Sequence, residues 1–187
     1  MRKFIQMQGC RGVTLVELLV VVAIAGVIAS IAIPSYRNMV ISSRISNMTS
    51  SLHSTILFAR AEALKRGAQV VLCPSENADA TGAACSTGSG AVGWGSGWIL
   101  FADPNRNNKF DAGEALVRVQ GVLLKNADDG SIKPNNASQF IAFSATGQIL
   151  TSVNFTVTGP SGTSDLDKAV CISVSGRAKV GKTPSCS

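Results

Sequence analysis

Glu17 is the only charged side chain between Val13 and Ile33. A carboxylate inside a run long enough to cross a bilayer costs roughly 2.5–3.5 kcal/mol or more, so it calls for a partner, an amine being the simplest. A second constellation is Asp103-Pro-Asn105-Arg-Asn107-Asn108-Lys-Phe-Asp111-Ala-Gly-Glu114, whose oxygen-bearing side chains recur as in a calcium-binding EF-hand loop. Asn108 stands where that loop wants glycine, and strand-like sequence rather than helix flanks it. The same residues make ordinary Asx turns, so a structural turn and a calcium site both remain open. The last twenty residues carry Lys168, Arg177, Lys179 and Lys182 with no acid after Asp167, which suits phosphate contact or a merely solvated end. His53 is the only histidine, so no Ser/His/Asp set assembles around it, and no phosphate-cradling glycine motif precedes a helix. No catalytic residue, cofactor or metal ligand is assigned, and an enzyme is not expected.

These groups need elements to hold them. Val13 to Ile33 is about 21 residues, a span of roughly 30 Å as a helix, which matches one bilayer core. Beyond Pro34 apolar residues from Tyr36 to Leu64 recur at three- and four-residue steps among Arg37, Arg44, Arg60, Glu62, Lys65 and Arg66. That is one amphipathic face, and Gly67 after Lys65-Arg66 is a C-terminal stop. One long helix from about Val13 to Arg66 is expected, with Gly26 and Pro34 as places for a bend. From Ala68 the period changes. Gln69–Cys73, Trp98–Phe101, Ala115–Leu124, Gln139–Phe143, Gln148–Thr158 and Lys168–Ser175 read as strands separated by Gly, Asn, Asp and Pro. The glycines between Gly82 and Gly97 read as a flexible loop. The fold class is α+β: a long N-terminal helix, transmembrane in its first part, packed on an antiparallel β-sheet domain.

Arg2, Lys3 and Arg11 precede Gly12, and Gly12-Val13-Thr14-Leu15-Val16-Glu17-Leu18 opens the apolar run. This arrangement resembles the leader and mature start of the type IV pilin superfamily, with Val13 in place of the usual phenylalanine. An ordinary secretory signal would have a shorter apolar core, and a plain anchor would leave Glu17 unexplained. Ala59-Arg60-Ala61-Glu62-Ala63 followed by Gly67, Val71-Leu72-Cys73-Pro74, Gly97-Trp98, Phe101, Asp103, Asn105, Asp111, Gly113-Glu114 and Phe143-Ser144-Ala145-Thr146-Gly147 resemble the GspH/FimT-type minor pilins and pseudopilins. Gly176-Arg177-Ala178-Lys179 resembles the Gly-Arg-x-Arg motif of the FimT branch, with Lys179 for the second arginine.

The resemblance implies a leader, residues 1–12, cut between Gly12 and Val13 by a prepilin peptidase that also methylates the new terminus. Residues 13–34 would be the transmembrane and assembly half of the helix, 35–66 its amphipathic half and 67–187 the β-sheet domain. Glu17 would neutralise the terminal amine of a neighbouring subunit. Losing three of the 17 basic residues lowers the net charge from +6 to +3. It also removes Cys10 and leaves Cys73, Cys85, Cys171 and Cys186, an even set suited to an oxidising compartment. Four cysteines allow three pairings; the local loops Cys73–Cys85 and Cys171–Cys186 are expected, each worth about 3 kcal/mol. The basic leader predicts a cytoplasmic N-terminus and an exported C-terminal domain, and the resemblance implies an inner-membrane protein with that domain in the periplasm, moving later into an extracellular pilus. The expected function is a minor pilin of a type IV pilus that contacts double-stranded DNA through Arg177, Lys179 and Lys182. Its partners would be other pilin subunits, the peptidase, the inner membrane and DNA. A type II secretion pseudopilin is the alternative, and a calcium-dependent adhesive tip module a second one.

Overall fold

The computed structural model describes residues 13–88, 90–136, 138–183 and 186. Gly12, Cys10 and the rest of the leader lie outside the described residues. Helix α1 runs Leu15–Arg66, continuous through Pro34. Its first turn is closed by Thr14, whose Oγ1 accepts the Glu17 N–H at 3.2 Å. Its end is set by Gly67 at φ 60°, a left-handed conformation that only glycine adopts without strain. The chain divides into two units, the first ending at Met39 and the second running Val40–Ser187. In the first unit every large apolar side chain from Val13 onward is exposed, as expected of a helix whose apolar surface faces lipid or other helices.

In the second unit the helix buries Ile45, Met48, Leu52, Ile56, Ala59 and Ala63, a stripe at three- and four-residue steps. Glu62 is buried at its edge and ion-paired to Arg66 and Lys65. The Arg66 hydrogen bond is the chief reason its carboxyl stays below the usual range.

Eight strands follow: β1 Val70–Pro74, β2 Trp98–Ala102, β3 Leu116–Gln120, β4 Ser131–Pro134, β5 Ile141–Phe143, β6 Val153–Thr158, β7 Lys168–Ile172 and β8 Ala178–Lys182. They form two four-stranded sheets rather than one, ordered β3-β2-β1-β5 and β4-β6-β7-β8, with every pairing antiparallel. The six expected strands are present, most of them shorter, and β4 and β8 are additional. Helix residues, Leu72, Trp98, Leu100 and Phe143 from the first sheet, and Phe155, Val157, Val170 and Ile172 from the second share one core.

β1 and β2 are buried on both faces. Their other face, with Val71, Cys73, Ile99 and Phe101, packs against Ala78 and Ala83 of the following loop, which the Cys73–Cys85 disulfide holds in place. The glycine-rich stretch is not the free loop its composition suggests. Trp94 within it is fully buried, edge-on to Phe155 at 4.9 Å. Gly93 lies so close to the Ile132 carbonyl that a Cβ there has no room. A single aromatic residue thus anchors a segment that is otherwise too polar to pack.

Candidate functional site

The candidate site residues divide between the two units. Glu17 occupies the first turn of α1, exposed, with no hydrogen bond or ion pair from its carboxylate to another described residue. Val13 is exposed just ahead of the helix. Thr14 and Glu17 have the spacing of an N-terminal capping box, a local role that helix physics alone supplies.

In the second unit Arg177, Lys179 and Lys182 are all exposed, and Lys179 and Lys182 lie on β8, the edge strand of the second sheet. Their segment is therefore a strand and not a loose tail. Alternation fixes where each cation goes. Lys179 stands opposite Cys171, in the row that continues to Asn154, on the face away from the core, and Arg177 shares that parity. Lys182 has the other parity and stands opposite Lys168, whose Nζ donates to Ser46 Oγ of α1 at 2.8 Å. Hence the three cations straddle one sheet edge and do not form a single patch. The Cys171–Cys186 disulfide brings the chain end back beside β8, with the Cys186 sulfur 3.8 Å from the Lys179 carbonyl oxygen.

Two further arginines, Arg60 and Arg106, border a pair of turns, the second of which leads into Arg177. The strands β5 and β7 are each followed by a tight turn of similar sequence, Ser144-Ala-Thr-Gly147 and Ser173-Val-Ser-Gly176. Each turn is closed by a 2.8 Å hydrogen bond from the glycine N–H to the first serine carbonyl. Both glycines are left-handed, at φ 72° and 73°. The turns abut, since a Cβ on Gly176 would collide with the Gly147 carbonyl. Arg60 of α1 lies along them: a Cβ on Gly147 would meet its Cγ and Nε at 3.1 and 3.2 Å, and one on Gly176 its Cδ at 3.3 Å. Arg60 Nε is buried and has no acceptor. Arg106 lines a recess of about 180 Å³ with Gln69 and residues Ser144, Ala145 and Thr146. The repeated Ser-x-Ser/Thr-Gly pattern was the available signal for this corner.

The Asp103–Glu114 segment closes on itself. Asp103 is fully buried, and its carboxylate accepts N–H bonds from Asn107, Asn108 and the Gln69 amide. Asp111 accepts from the Asn107 and Asn105 amides, which hold its carboxyl below the usual range. One Glu114 oxygen accepts the Asp111 N–H and the other is buried without a partner. Asn108 takes the left-handed φ of 60° that its place in the loop requires. The carboxylates of both aspartates are engaged by the loop's own donors, and among the described residues no metal-binding group of His, Cys, Asp or Glu is gathered. This is the geometry of a hydrogen-bonded turn. His53 is half-buried on α1, outside all these clusters.

A family model described as "Type II transport protein GspH" matches residues 49–176, and one described as "Prokaryotic N-terminal methylation motif" matches residues 7–33. Two crystal forms of the type IV minor pilin FimU of Pseudomonas aeruginosa (strain PAO1) have a similar fold. The P21 form is 17% identical with a TM-score of 0.55, covering 78% of this chain and 96% of FimU. The P65 form is 18% identical with a TM-score of 0.52, covering 76% and 99%. The first match takes in more than half of the 187 residues and the second overlaps the Glu17 segment. The chain therefore belongs to the GspH family, and it is a pilin-type structural subunit, not an enzyme.

Proposed function

We propose that this subunit is a minor pilin of a type IV pilus that contacts double-stranded DNA along the open edge of β8. The observation carrying this reading is that Arg177, Lys179 and Lys182 are exposed along that edge, with no ion pair to any described residue. Long cationic side chains from both faces of an edge strand can straddle a phosphate backbone. No aromatic residue lies between Phe155 and the chain end, so this segment offers no base stacking. Neither is there a helix here for the major groove, so binding has no sequence preference. Three phosphate contacts correspond to a log–log salt slope of about −3, with affinity around micromolar or weaker at physiological salt.

The experiment is fluorescence anisotropy of the mature full chain in nonionic detergent with a labelled duplex, over a salt series. Arg177→Gln with Lys179→Gln is expected to abolish most binding, and reduction of Cys171–Cys186 to weaken it by freeing the chain end beside the strand. Absence of binding at low salt, or binding indifferent to the double substitution, overturns the DNA reading. The printed description of the GspH family favours a second reading, a type II secretion pseudopilin. That a type IV minor pilin shares the fold supports the first. Deleting the gene separates them: loss of piliation or DNA uptake fits the first, and loss of protein secretion with intact pili the second.

The processing scheme belongs to the same proposal. Residues 1–12 are removed, the 13–34 part of α1 sits in the inner membrane, and residues 67–187 lie in the periplasm before assembly. Intact-mass measurement of membrane-extracted protein is expected to show a chain starting at Val13 and carrying one added methyl group. A start near Gly26 would indicate an ordinary secretory signal instead.

A further inference from the structure

We propose that Arg60 and Arg106, set about the paired turns Ser144–Gly147 and Ser173–Gly176, form a phosphodiester-binding corner that continues the β8 edge through Arg177. This extends the DNA reading above and rests on it. Arg60 and Arg106 come from a helix and a loop, yet both border these two turns, and Arg177 leads from the second turn into β8. None of the three guanidinium groups has a hydrogen bond or ion pair to a described residue, whereas Glu62 is paired with Arg66 and Lys65, and Asp103 accepts from Gln69, Asn107 and Asn108. Three guanidinium charges thus outnumber the one carboxylate beside them, Asp103, which is held by neutral donors only.

Arg60 is the most informative of the three. A buried guanidinium donor without an acceptor is unfavourable, and an oxyanion is the chemistry that completes it. Two glycines leave space for its stem, which a Cβ at either position would crowd. A stem fixed in this way loses little rotamer freedom when it binds, and a guanidinium fork matches two phosphate oxygens. Arg106 lines the recess beside the first turn, and Arg177 follows directly from the second. A carboxylate of a partner protein would satisfy the same fork. Continuity with the cationic edge of β8, through the shared Arg177, favours the repeating charge of a nucleic-acid backbone.

The test uses the mature full chain in nonionic detergent, a short labelled duplex and a salt series, with poly-glutamate as competitor. Arg60→Gln and Arg106→Asn are each expected to weaken binding several-fold at low salt and to reduce the salt slope by about one. Arg60→Lys should keep the slope but lose affinity, since the charge remains and the fork does not. Arg106 is exposed at φ 60°, which asparagine tolerates, so this variant decides the matter even if Arg60→Gln misfolds by near-UV circular dichroism. If the wild-type chain binds and loses binding with Arg177→Gln and Lys179→Gln, but the Arg60 and Arg106 variants bind normally, the corner is overturned and the β8 reading stands. If the wild-type chain does not bind, both are overturned. Poly-glutamate displacing the duplex at equal charge would identify an acidic protein surface as the occupant and overturn the proposal.

Discussion

Trp98→Ala is expected to lower the stability of the second unit by about 3–5 kcal/mol, the range for removing a buried tryptophan. Trp98 is fully buried on β2, between the helix and the first sheet, and its indole N–H donates to Thr55 Oγ1 at 3.3 Å. The change leaves a cavity at the junction where helix and sheet meet, and backbone on both sides resists collapse into it. A loss of this size is a large part of the roughly 5–15 kcal/mol that holds a typical domain folded. Thermal unfolding followed by circular dichroism should show a fall in midpoint of about 10–20 °C. Trp98→Phe is the informative companion. It retains an aromatic ring of smaller size and removes the hydrogen bond, while Thr55 still donates to the Ser51 carbonyl at 2.9 Å. Its expected loss is about 1–2 kcal/mol, from the smaller ring and the missing bond. If the alanine variant unfolded within a few degrees of wild type, the shared core would not depend on this residue.

What was legible in the sequence was local. The helix from Leu15 to Arg66 follows from an apolar run, then a three-and-four period, then Gly67. β1 and β2 stood out because they are buried on both faces and therefore read as unbroken apolar runs. β4 and β8 did not, because Ser-Ile-Lys-Pro and Ala-Lys-Val-Gly-Lys each hold little apolar surface, and pairing with β6 and β7 makes them strands. The division into two sheets is equally non-local, since nothing within β5 or β6 states which neighbour it will choose. Trp94 shows the reverse failure, where one aromatic side chain outweighs a dozen residues of loop-like composition.

The same distinction applies to the site. Residue type identified Arg177, Lys179 and Lys182, but their arrangement depended on knowing that they follow strand alternation, which puts Lys182 opposite Lys168 on the other face. In the sequence Arg60 is one of several polar residues interleaved with the apolar stripe of the helix. Its position over Gly147 and Gly176 is set by residues about ninety and more positions away in the chain. The Asp103–Glu114 spacing was visible from the start. Its hydrogen bonds show why that spacing suits a turn: Asp103, Asn105, Asn107 and Asp111 each accept from a donor a few residues away in the same loop, and Gln69 donates from outside to Asp103 and Asn108.

Glu17→Ala is expected to leave the chain processed and inserted in the membrane but to reduce its recovery in fibres by tenfold or more. Two forces act on this carboxylate. Its place in the first turn of α1, with the Thr14 cap one step ahead, lets it interact favourably with the helix dipole, by about 0.3–1 kcal/mol. Its place within an exposed apolar run opposes that by roughly 2.5–3.5 kcal/mol or more if the run lies in lipid. The dipole does not balance the membrane term, and among the described residues no cation pairs with Glu17. The methylated terminal amine of a neighbouring pilin subunit is the partner proposed for it. Removing the carboxylate makes insertion easier and assembly harder, so the two readouts move in opposite directions. Immunoblots of sheared fibres and of membrane fractions measure them separately. Glu17→Asp keeps the charge on a shorter stem and should recover part of the incorporation, whereas Glu17→Gln keeps the shape and should not. A purely local capping role predicts something else: Glu17→Ala and Glu17→Gln would then alter helix stability slightly and leave fibre incorporation unchanged. Normal incorporation of the alanine variant would remove the case for a charge pair between subunits.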